Sequence, residues 1–97
     1  MAALAKIVLL RAKPERVADL EATLRRLLSA TGQEAASAAC ELHRSSDDEA
    51  QFMVYERWID EAGFARHMEQ PHTAEFLALA GDLLAEPPQV LSFETLP

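Results

Sequence analysis

Basic residues are scarce in this chain. Nine lysines and arginines stand against sixteen acids in 97 residues, a formal net charge of −7. A duplex or polyanion binder needs a basic face, and this balance does not supply one, so no nucleic-acid partner is expected. Cysteine is nearly absent: Cys40 stands alone, which excludes an intrachain disulfide and fits a reducing, cytoplasmic setting. Glycine is rare too, and none of the three lies in a phosphate-cradling loop. Long apolar runs are missing, so no membrane span is expected. The opening MAALAKIVLLRAK has no basic segment before its apolar run, which Lys6 and Arg11 interrupt, and it reads as a first strand rather than a signal peptide. The three histidines and one cysteine show no tight ligand spacing, so neither a metal nor another cofactor is expected.

What is present suits a folded globule. The hydrophobic share is 49% and the length allows one domain, residues 1–97. Residues 3–12 read as a strand with both alternating faces apolar: Ala5, Ile7 and Leu9 on one, Leu4, Val8 and Leu10 on the other. Pro14 suits a first helical turn, and Val17, Leu20, Leu24, Leu27 and Leu28 follow at helical spacing until Gly32 stops the run. Residues 37–44 and 51–58 read as two strands joined by the polar turn Ser45-Ser46-Asp47-Asp48-Glu49, an antiparallel hairpin. Asp60 can cap a short helix weakened by Gly63, Pro71 opens another helical segment, and Pro87-Pro88 ends it before a last strand at 90–95.

The resulting order, β-α-β-β-α-β with a split second helix, is the ferredoxin-like α+β arrangement: an antiparallel sheet with helices on one face. The strands nevertheless carry apolar residues on both faces. Leaving such a face wet forfeits about 25 cal/mol per Å². A second copy of the chain, packed sheet to sheet about a two-fold axis, is the simplest cover, so a homodimer is expected.

The candidate chemistry gathers between Gln51 and His72, where few polar residues sit among apolar ones. His67 is the first choice for acid–base work, because neutral imidazole accepts a proton near neutral pH; the plainer role is a helix-end histidine meeting the last carbonyls. His72, just after Pro71, is either a site residue or a partly exposed first-turn residue. The two lie five residues apart with Pro71 between them, which places them on no common helical face and argues against a metal pair. Trp58 and Glu56 share a strand face with Phe52 and Val54. Trp58 offers an apolar wall and one N–H donor, or plain core packing. A carboxylate in such a strand must be paired or poised, and Arg44 or Arg57 of the partner subunit is the expected mate of Glu56, in an ion pair rather than in catalysis. Phe52, Phe64, Met68 and Phe76 are candidate pocket lining, and Cys40 is expected to be packed rather than nucleophilic.

Tyr55-Glu56-Arg57-Trp58, followed by a helix ending at His67 and then Pro71-His72, resembles the antibiotic biosynthesis monooxygenase superfamily, which includes small quinol and anthrone monooxygenases. The resemblance runs nearly end to end, through Lys13-Pro14, Glu34 and Glu41-Leu42-His43-Arg44. It implies a dimeric α/β barrel that oxidises an electron-rich aromatic substrate with O2 and without flavin or metal. Two departures stand out: Ala35-Ala36-Ser37 replaces a common Pro-Gly-Cys after Glu34, and Cys40 replaces a common Tyr. The superfamily also holds haem-degrading enzymes, an isomerase of a small carbonyl compound and members with no known activity, so a non-catalytic binding or stress-response module is a further alternative.

Overall fold

A computed structural model describes residues 3–97. Its strands are β1 (Leu4–Arg11), β2 (Ser37–Arg44), β3 (Gln51–Trp58) and β4 (Gln89–Glu94); its helices are α1 (Val17–Thr31), α2 (Glu61–Met68) and α3 (Pro71–Leu83). The four strands form one sheet in the order β2-β3-β1-β4, with every neighbouring pair antiparallel. This is the expected ferredoxin-like arrangement. The most apolar strand, β1, takes an inner position, as a segment apolar on both faces requires. Position 4 of β1 pairs with both Trp58 and Glu94, and position 8 with both Val54 and Val90.

The helices cover one face. Along β3 the side chains of Phe52, Val54, Glu56 and Trp58 are buried, while the residues between them are only half-buried, the period of two that a one-sided cover produces. Leu20 and Leu24 of α1 and Phe76 and Leu83 of α3 meet Leu10, Phe52 and Val54 in the main core. A smaller cluster of Leu4, Ala36 and Trp58, with Phe64 packed against it, lies under α2. The opposite face presents Ala5, Ile7, Leu9, Met53, Tyr55, Leu91 and Phe93 in register, and Phe93 is 50% exposed.

Two local readings are corrected. Pro14 opens a short 3-10 turn, Pro14–Arg16, and α1 begins only at Val17. The last strand lies one residue earlier than expected. Gly32 ends α1 as expected, in a right-handed conformation at φ −63°. Tight turns follow: the Gln33 N–H donates to the Ala30 carbonyl and that of Glu34 to the Thr31 carbonyl. They wind the chain inward and deliver Glu34 beneath α2 and α3. Asp60 caps α2 as expected, its Oδ1 accepting from the Gly63 N–H at 2.7 Å.

Candidate active site

The alternation of β3 turns Glu56 and Trp58 inward together. The buried indole Nε1–H of Trp58 donates to Glu56 Oε1 at 2.9 Å. One helical turn separates Phe64 from His67 on α2, and both rings lie over Trp58, at centroid distances of 6.0 and 4.7 Å. His67 is only 6% exposed. Opposite Glu56 on β1 stands Lys6, also buried, whose Nζ donates to Ser92 Oγ at 2.7 Å and sits 4.2 Å above the Phe64 ring. Burial raises the Glu56 carboxyl above its ordinary range, against the Trp58 N–H, which favours the ionised form.

The expected arginine partner of Glu56 is corrected by this geometry. Arg44 binds Glu21 of α1 instead, which removes the candidate within the chain. A neutral donor two residues along the same strand face meets the need. Cys40, opposite Glu56 on β2, has its thiol pushed up to about 12, first by burial and then by the charges of Glu56 and Glu34. That fits the packed role expected of it.

Glu34 organises the second half of the site. His67 Nδ1–H and His72 Nε2–H both donate to Glu34 Oε2, each at 2.7 Å. A carboxylate only accepts, so both imidazole nitrogens must carry the hydrogens. Thr73 steadies the arrangement: its hydroxyl donates to the His67 carbonyl at 2.7 Å and lies 3.5 Å from Nδ1. His67 and His72 share no helical face, as expected, yet they come together. They stand on different helices, and the turn before Pro71 folds α3 back until the rings are 6.0 Å apart. The ligand-type atoms of Glu34, His67 and His72 all lie within 4.8 Å of one another.

Two of the hollows that border this group bear on its chemistry. One, apolar and about 110 Å³, lies between sheet and helices with Val54, Glu56, Phe64, His67, Met68 and Phe76 in its wall. The other, more polar than the first and about 320 Å³, is bordered by Glu34 and His72, with Arg66 in its wall. Of the residues singled out from sequence, Glu56, Phe64, His67, Met68 and Phe76 therefore converge on the apolar hollow. Trp58 stands behind His67, His72 faces the polar side, and Phe52 lies in the core beneath Arg44. Sequence reasoning gave no site role to Glu34, Lys6 or Thr73. A signal existed for Glu34 alone, as a lone carboxylate ahead of the alanine-rich run Ala35-Ala36.

With Nδ1 committed to Glu34, His67 Nε2 is the nitrogen left to a molecule in the apolar hollow. The arrangement can therefore accept a proton there, with the carboxylate holding the ring's tautomer and stabilising the imidazolium that forms.

Known proteins carry the same frame. A curated Bacillus subtilis (strain 168) protein named "Putative monooxygenase YcnE" is 28% identical over 85 residues, spanning 88% of this chain and 90% of the relative. The crystal structure of PA3566 from Pseudomonas aeruginosa superposes with a TM-score of 0.94 at 27% identity, covering 100% of this chain and 97% of that one. The NE2512 protein of Nitrosomonas europaea, described as of unknown function, gives a TM-score of 0.89 at 31% identity over 100% of this chain and 92% of that one. The sequence model of the antibiotic biosynthesis monooxygenase family matches residues 3–79. The chain belongs to the antibiotic biosynthesis monooxygenase family.

Proposed function

We propose that this protein is a monooxygenase that uses O2 without a flavin or metal to oxidise an electron-rich aromatic such as a quinol. The observation that carries the reading is His67, held through Nδ1 by Glu34 with its other nitrogen left to an apolar hollow. Such a base removes the phenolic proton, and the resulting electron-rich anion reduces O2 itself. For a hydroquinone the balance is one quinol and one O2 giving one hydroxyquinone and one water, the ring losing four electrons. Lys6, buried behind the Phe64 ring that lines the hollow, supplies the positive charge that favours an anion nearby.

Size narrows the substrate. A cavity of about 150 Å³ holds a benzene molecule, and this hollow is about 110 Å³. It is smaller than that, so even a single-ring quinol requires it to widen, and a three-ring anthrone requires it to widen far more. Haem is far larger than either. The family and the name of the Bacillus relative support a monooxygenase in general. Two chains are proposed to pair through the open sheet face, where Ile7, Leu9, Tyr55 and Phe93 supply apolar cover.

Oxygen uptake by metal-free protein, with a panel of quinols and anthrones, tests the reading. Uptake with quinols that His67→Ala abolishes, while its light-scattering mass is unchanged, is the expected result. No uptake above autoxidation, or full uptake by His67→Ala, refutes it. Turnover of a small carbonyl compound without oxygen loss would instead identify an isomerase using the same base.

A further inference from the structure

We propose that Glu34, His67 and His72 bind a divalent first-row transition-metal ion, of the Zn²⁺, Co²⁺ or Ni²⁺ class, with water from the polar hollow completing its coordination. The three side chains come from three separate segments: the turn after α1, the end of α2 and the start of α3. Their ligand atoms nevertheless converge within 4.8 Å of one another.

The spacing is close to what an ion requires. Imidazole nitrogens bind Zn²⁺ at about 2.0–2.1 Å and carboxylate oxygens at about 2.0–2.2 Å. At a tetrahedral angle two such ligands lie about 3.3 Å apart. Glu34 Oε2 is 2.7 Å from each of the two ring nitrogens. Small side-chain rotations make up the difference. Each imidazole coordinates in its neutral form once its hydrogen has moved to the other ring nitrogen, so tautomer change alone frees both ligand atoms.

The donor set selects the class of ion. Two nitrogens disfavour Mg²⁺ and Ca²⁺, which take oxygen ligands. No thiolate belongs to the group, which disfavours Cu⁺. Three protein ligands leave at least one position open, as in catalytic rather than structural sites. The polar hollow of about 320 Å³, with Glu34 and His72 in its wall, gives that position access to water. Arg66 is the one cationic side chain bordering this hollow; it is exposed and free to extend into solvent. The net charge of −7 attracts cations to the molecule as a whole.

This site shares His67 with the oxygenase reading, and an ion on Nδ1 leaves the hydrogen on Nε2, so the loaded protein would lack the free base; ion uptake and oxygen consumption by metal-free protein are measured separately, and either can fail alone. Protein without a histidine tag, dialysed against chelator, is titrated with Co²⁺ and followed by visible d–d absorption and calorimetry. One ion per chain is expected, displaced by Zn²⁺ but not by Mg²⁺. Glu34→Gln and His72→Ala are each expected to weaken binding at least about 100-fold. His43→Ala, which removes the exposed histidine beside Glu41, should leave it unchanged. Binding that survives both site variants, or that disappears in His43→Ala, overturns the proposal, as does an absence of uptake at 100-fold molar excess. If the site variants fail to fold, wild-type imidazole NMR signals decide: Zn²⁺ must shift His67 and His72, and shifts confined to His43 overturn the proposal.

Discussion

Replacing Gly63 with alanine sets two opposed effects against each other. By helix propensity alone the change stabilises α2 by about 0.8–1.0 kcal/mol. A Cβ at this position, however, would lie 2.3 Å from the Ala36 Cβ and 3.2 Å from the Asp60 oxygen that caps the helix. Carbon atoms rest at about 3.5–4.0 Å, so a gap of at least about 1.2 Å must open. The Ala36 methyl is fixed to its backbone and cannot swing aside, so α2 and the turn before β2 must part. Overpacking of this kind costs about 1–3 kcal/mol, which leaves a net loss of up to about 2 kcal/mol after the propensity gain. The site should suffer with the fold, because Ala36 is two residues from Glu34 and Gly63 is one helical turn from His67. Urea unfolding followed by the fluorescence of Trp58, the only tryptophan, measures the loss. Adding Ala36→Gly should recover most of it. A Gly63→Ala variant more stable than wild type by about the propensity gain of 0.8–1.0 kcal/mol would show that the close approach costs nothing, and the reasoning would fail.

Glu56→Gln should gain on wild type as pH rises. Burial raises the folded carboxyl above its ordinary 4.5, so the protonated form is the one favoured by folding, and its contribution is lost as pH climbs through the raised value. Urea midpoints from pH 4 upward should therefore diverge in favour of the variant; a constant gap contradicts this. Cys40, with its thiol at about 12 rather than the ordinary 9.0, should show about a thousandfold less thiolate at pH 8 than a free cysteine, and mass spectrometry should find it slow to alkylate. Alkylation at the rate of a free peptide thiol would refute that. Phe93→Asp should yield a single-chain mass in light scattering with the helix-side core intact; retained pairs would mean that the second copy is not seated on that face.

Much of the frame was legible because it depends on neighbours in sequence. The bounds of β2 and β3 followed from the stop at Gly32 and the polar turn between the strands, and the α2 start from Asp60 with Glu61 beside it. The site was less legible because it depends on distance. Glu34 meets His67 and His72 across 33 and 38 positions, and no periodicity links them. Lys6 read only as an interruption of an apolar run; its burial rests on Ser92, 86 positions away. The Glu56 partner was missed for a different reason. The search was for a charge, although the inward Trp58 N–H was already visible two residues along the same face.

The order of pairing in the sheet has a consequence for synthesis on the ribosome. β1 is made first, but its two neighbours are β3 and β4, and β4 is the last strand to emerge. Contacts between distant segments form late because the intervening chain must close. The stretch from Glu34 to Thr73 emerges before β4 and can assemble the carboxylate–histidine group against the β1–β3 pair. The Lys6–Ser92 bond follows only when β4 arrives. Until then one edge of β1 is bare, which makes it the segment most exposed to mispairing with another nascent chain.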